Sequence, residues 1–158
     1  MRVVLRGDDH TPGNGRIEFS EPEWTWYSDG GGFLACTVTV AVGEEERSLG
    51  IEQIPVYVTN MVGFFEDMAR HASGWSGVMT WESEYHEVEV GVRNPDGSEV
   101  VVDFRLRWPP EHEEEWASSV VIRADGLARA AEAMRKFTGE ESGRRFITPN
   151  RPRTWDPL

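Results

Sequence analysis

Lysine is almost missing from this chain. Of its 16 basic residues, 15 are arginine and Lys136 is the exception, against 28 acidic residues and a formal net charge of −12. A nucleic-acid binder gains affinity by neutralising phosphates, so this balance excludes that class of partner. The same surplus would draw a basic protein partner in and raise its association rate, although acidic surfaces also serve solubility alone. Cysteine is as scarce. Cys36 stands by itself, which excludes an intramolecular disulfide, and its neighbours Leu34, Val38 and Val40 place it on the apolar side of a strand as a small hydrophobe. No basic neighbour in sequence lowers its pKa toward reactivity. No apolar run approaches the roughly 20 residues that span a bilayer. The start, Met1-Arg2-Val3-Val4-Leu5-Arg6-Gly7, turns acidic at Asp8 and Asp9 without a signal segment, so a cytoplasmic protein with no membrane partner is expected.

At 158 residues there is room for one core, and a domain of this size needs no staples. No repeat is visible. Short strands are expected at Val3–Arg6, Ile17–Ser20 and Trp24–Tyr27. After the turn cluster Asp29-Gly30-Gly31-Gly32, the alternation of Leu34, Cys36, Val38, Val40 and Val42 predicts a half-buried strand. Leu49, Ile51 and Gln53 predict its antiparallel partner up to Pro55. Then the period changes. Met61, Phe64, Phe65, Met68, Ala69 and Ala72 recur at helical spacing behind a cap at Thr59 or Asn60, and Gly74 is expected to stop the helix.

Val88, Val90 and Val92 alternate next, followed by the turn Asn94-Pro95-Asp96-Gly97 and a return strand from Val100 to Trp108. Trp116 to Arg123 predicts another strand, and Asp125 is expected to cap a last helix carrying Leu127, Ala130, Ala131, Met134 and Phe137. Beyond Gly139 the composition shifts. Residues 140–158 hold four arginines (Arg144, Arg145, Arg151, Arg153) against three acidic residues, and the prolines at 149, 152 and 157 exclude regular structure. This segment is a tail, solvated or docked through Phe146, Ile147 and Trp155. The domain, 1–139, therefore carries a net charge of −13.

No residue set rises to a catalytic constellation. Asp8-Asp9-His10 has ligand-type residues, but the glycines and proline that follow read as a loop of turn formers. His112 sits in a glutamate run that reads as solvated. His71 and His86 have no nucleophile at a recognisable spacing. No serine occupies a Gly-x-Ser-x-Gly elbow, and Gly30-Gly31-Gly32 lacks the Gly-Lys-Ser/Thr of a phosphate loop. Neither a metal site nor a cofactor is indicated, and enzymatic function is disfavoured.

The aromatics carry more. Seven tryptophans are many for this length, and not all can be fully buried. Trp81, Trp108 and Trp116 fall on core-facing strand phases. Trp24, Trp26 and Tyr27, in the run Glu21-Pro22-Glu23-Trp24-Thr25-Trp26-Tyr27, are the best binding-surface candidates, with Glu21 and Glu23 as an acidic rim for a basic partner. The competing explanation is an edge strand with packed indoles.

The order Phe64-Phe65-x-x-Met68-Ala69, Gly74-Trp75-x-Gly77, Trp81-x-Ser83, Trp116 and a final helix ending at Phe137 resembles a family of small acidic actinobacterial proteins known as a domain of unknown function. The similarity spans about residues 16–137, and the Gly-Trp-x-Gly-x-x-x-Trp-x-Ser portion is its most specific piece. Where the family usually has an acidic or arginine residue, this chain has His71-Ala72-Ser73. The resemblance implies one domain with a tail outside it, and no reaction, cofactor or site residue.

The expected fold is α+β, two groups of antiparallel strands with a central helix at about 60–72 and a carboxy-terminal helix at about 126–137 packed on the sheet. The leading functional expectation is a non-enzymatic acidic binding module, in the manner of a small immunity or inhibitor protein. The alternative is a small-ligand or enzymatic pocket between the central helix and the sheet, lined by Met61, Phe65, Trp75 and Trp81. A homodimer built on an exposed strand edge is the third.

Overall fold

A computed structural model of the chain describes residues 1–10, 12–108 and 114–139. The tail at 140–158, with its arginines and Trp155, lies outside the described residues, as does His112. Four antiparallel strands, β1 (Arg2–Arg6), β2 (Gly15–Trp26), β3 (Gly32–Val42) and β4 (Glu45–Gln53), form one meander in chain order. Helix α1 (Pro55–Arg70) follows, and then a second meander of β5 (Met79–Glu82), β6 (Val88–Arg93), β7 (Glu99–Trp108) and β8 (Glu114–Arg123). A 3-10 turn, Ala124–Gly126, leads into helix α2 (Leu127–Thr138). The architecture is thus α+β, with two four-stranded antiparallel sheets and two helices.

The valine alternations place one face of each strand inside. Val3, Phe19, Leu34, Val38 and Ile51 of the first sheet share a single core with Val88, Val102, Phe104 and Ile122 of the second, and Met61, Phe64, Phe65 and Met134 enter it from the helices. Phe19 meets Phe65 edge-on at 5.6 Å, and Trp81 packs near Phe64 and Phe19. Each such large side chain contributes roughly 1.5–3 kcal/mol by leaving water. Two tryptophans stitch the sheets at their margin. Trp108 Nε1 donates to the Ser48 carbonyl (3.2 Å) and Trp116 Nε1 to Glu45 (3.0 Å). Both rings are partly buried and pack on the outside of the core.

Several expected boundaries are corrected. The separate strands at 17–20 and 24–27 are one strand, β2, whose register against β3 shifts between Ser20 and Glu23. Glu21 takes φ 56° at this bulge. Strand β1 pairs only with residues 16–20 of β2, so the stretch that carries Trp24 and Trp26 is paired with β3 alone and forms a local edge, as the edge-strand reading of its indoles has it. Helix α1 begins at Pro55, not after a Thr59 or Asn60 cap. Proline at the first helical position has its φ preset and lacks an N–H that would go unused. The backbone N–H of Ile54, just before it, donates to Glu84 from the second meander (2.9 Å). Thr59 is instead buried inside the helix, its hydroxyl donating to the Pro55 carbonyl. The helix stops at His71 and not at Gly74. Asp125 pairs with Arg123 and makes no cap bond.

The end of α1 is tied to the β6–β7 connection by Asn94, which is fully buried. Asn94 Nδ2 donates to the Ala72 carbonyl (3.1 Å), its Oδ1 accepts from the Gly97 N–H (2.9 Å), and its own carbonyl accepts from the Trp75 N–H (2.8 Å). Gly97 has φ +80°, and a Cβ there would lie 2.6 Å from the Ser73 carbonyl oxygen, so only glycine fits.

Candidate functional site

The outer face of the first sheet carries a groove of ≈ 670 Å³. Its floor is made of small residues. In the register, Ser20, Thr37 and Gly50 form one cross-strand row, and Glu23, Ala35 and Glu52 the next. Gly50 has open space where a side chain would project. Glu21 and Glu23 stand on the β2 side of the groove, and Glu52, Tyr85 and Glu87 on the other. The bulge turns Glu21 toward β3, where it accepts a hydrogen bond from the Thr37 hydroxyl (3.1 Å).

Glu87 is held rigidly. It is 6% exposed, and the Ser83 hydroxyl donates to it at 2.6 Å while accepting from the Val88 N–H at 3.0 Å. The Tyr85 phenol is exposed and its pKa is pushed up, first by the charge of Glu84, with Glu52 and Glu87 adding to it. A phenol that resists ionising because of the carboxylates around it reports a locally negative potential. Cys36 also borders the groove, but burial raises its thiol to about 12, so it takes no part as a nucleophile.

Charge pairing divides the surface. On the second sheet's outer face, arginines answer the carboxylates: Arg93 on Asp103, Arg105 on Glu89 and Glu115, and Arg107 on the same two glutamates. Among the described residues no cation lies within ion-pair distance of Glu21, Glu23, Glu52 or Glu87. One further acidic group is Glu82, His86 and Glu89, whose ligand atoms lie within 4.8 Å of one another. Arg107 and Arg105 already hold Glu89, at 2.7 and 3.3 Å, so a metal ion there would meet their positive charge.

Of the residues nominated from sequence, Glu21 and Glu23 border the groove. Trp24 turns the other way, half-buried, and its Nε1 donates to the Thr138 carbonyl at the end of α2 (3.0 Å). Trp26 stacks on it at 4.7 Å and is 42% exposed; Tyr27 is 56% exposed beside Phe33. Trp26 is three positions on from Glu23, about 10 Å along the strand. Met61 and Phe65 are buried in the core at 0% and 3% exposure. Trp75 is half-buried, with Nε1 donating to the Val92 carbonyl (3.3 Å). Trp81 is core as well, though it borders a cleft on the second sheet. Glu52, Tyr85 and Glu87 were not foreseen, because they come from separate segments and only the fold brings them to Glu21 and Glu23.

A family model matches residues 9–141, nearly the whole of the described chain. The chain belongs to a family of unknown function, DUF6228. No curated protein matches it. The matched region contains both sheets, both helices but for the first strand, and every groove residue, so the acidic groove is a feature of the DUF6228 region itself. No helix among the described residues is long and apolar enough to cross a membrane.

Proposed function

We propose that this protein is a binding module for a basic protein partner in the cytoplasm, and that the groove takes an arginine or lysine side chain of that partner. The observation that carries the reading is the set of four glutamates around a small-residue floor with no cation among the described residues in ion-pair distance, whereas on the second sheet's outer face Arg93, Arg105 and Arg107 pair with Asp103, Glu89 and Glu115. One further observation supports it. The described non-glycine residues with positive φ, Glu21 and His86, stand in the groove and next to Tyr85 and Glu87, and backbone strain of this kind gathers at binding sites.

The test uses L-argininamide and a short arginine-rich peptide, titrated into the ¹⁵N-labelled chain. Saturable shifts centred on Thr37, Gly50 and Glu52 are expected, weakening severalfold as salt rises from about 0.05 to about 0.2 M. Gly50→Arg sends a cation of the chain's own into the groove without touching the core, and it should abolish the shifts. Shifts spread evenly over the surface, or undiminished in Gly50→Arg, would end the proposal.

A further inference from the structure

The second sheet holds an opening of a different chemical character. Its outer face and its β5 edge, with the first turns of α1, border an open cleft of ≈ 1150 Å³, of ample size for a small molecule. Gly91 lies on its floor, with the Val78 side chain 3.2 Å from where a Cβ would stand. The charges there are answered: Arg105 holds Glu89 (3.3 Å), while Asp103 takes Arg93 (3.1 Å) and the Ser119 hydroxyl (2.5 Å). Two uncharged groups are not answered. Asn60 Oδ1, on α1, and Trp81 Nε1, on β5, are both shut off from solvent and have no hydrogen-bond partner. Trp81 is 5% exposed.

A buried polar group left unpaired costs about 1–3 kcal/mol, and native proteins keep few of them. Here an acceptor and a donor stand on neighbouring elements bordering the same cleft. What is missing is therefore a donor and an acceptor, not a charge. We infer that this cleft binds a small neutral molecule presenting a hydrogen-bond donor beside an acceptor, as a primary amide or a lactam edge does, with Asn60 and Trp81 as its polar contacts. Since neither atom is open to solvent, the ligand gains them by turning Asn60, which is half-buried at the cleft margin. The site shares no residue with the acidic groove and stands or falls apart from it.

Benzamide is the probe, with benzoate and benzylamine as charged molecules of the same size, each titrated into the full ¹⁵N-labelled chain to about 10 mM, where millimolar affinity saturates. The Trp81 indole N–H, assigned by its loss in Trp81→Phe or by its contacts with Phe64 and Phe19, should shift saturably with benzamide. Asn60→Ala should weaken binding about tenfold, the loss of one hydrogen bond. The melting temperature of Asn60→Ala should stay near that of the parent. No saturable shift, equal binding of benzoate or benzylamine, or affinity unchanged in Asn60→Ala would each overturn the inference.

Discussion

Replacing Asn94 by alanine tests how the end of α1 is held to the second sheet. The side chain is fully buried and makes two bonds, one to the Ala72 carbonyl and one from the Gly97 N–H. Alanine leaves both partners in place without an answering group, at about 1–3 kcal/mol each, so a loss near 3 kcal/mol is expected. For a domain of this size that lowers the melting temperature by roughly 6–12 °C. Urea unfolding followed by tryptophan fluorescence and by far-ultraviolet circular dichroism measures it, and coincident transitions establish two-state behaviour. Gly97→Ala supplies the second arm, because its Cβ would strike the Ser73 carbonyl. Both substitutions disturb one junction, so the double variant should lose less than the two single losses added. A loss under about 1 kcal/mol for Asn94→Ala, or full additivity with Gly97→Ala, would refute the reasoning.

Two more outcomes follow from the ionisable groups. Glu89 titrates below the ordinary carboxylate range, first because Arg107 hydrogen-bonds its charged form. A depressed folded pKa contributes stability that is present above the unfolded value near 4.3 and is lost as pH falls through the folded value. The parent should therefore lose more stability than Arg107→Met between about pH 6 and pH 3; parallel curves would contradict the pairing. Cys36, raised to about 12 by burial, should resist Ellman's reagent at pH 8 until urea unfolds the chain. Prompt labelling of the native protein would show the thiol to be reachable.

Much of the fold was legible because it rests on alternation. Val38 and Val40, or Val88 to Val92, announce an inner face whatever the rest of the chain does. The errors have a common origin in contacts remote in sequence. The start of α1 was misplaced because its end group is Glu84, 30 residues from Ile54, and a local reading credits Thr59 or Asn60. Strand β2 was split because Glu21 and Pro22 interrupt the period at a bulge. The succession of four strands and a helix occurs twice without a visible repeat, since the halves share only a pattern of inside and outside. The site was half legible. Glu21 and Glu23 are neighbours in sequence, whereas Glu52 joins them only through the β2–β3–β4 register and Glu87 only through the packing of the two sheets. The hydrogen bond of Trp24 to the Thr138 carbonyl at the end of α2 joins residues 114 apart and has no local signal in the sequence.

The bond from Ile54 to Glu84 has a consequence for how the molecule can be taken apart. The first turn of the helix that closes one half is completed by a carboxylate belonging to the other, and the indoles at 108 and 116 reach back to the β3–β4 hairpin in the opposite direction. Neither half contains all the groups its own termini and margins require. Cutting the chain between the halves should yield two fragments that stay unstructured alone and regain order when mixed.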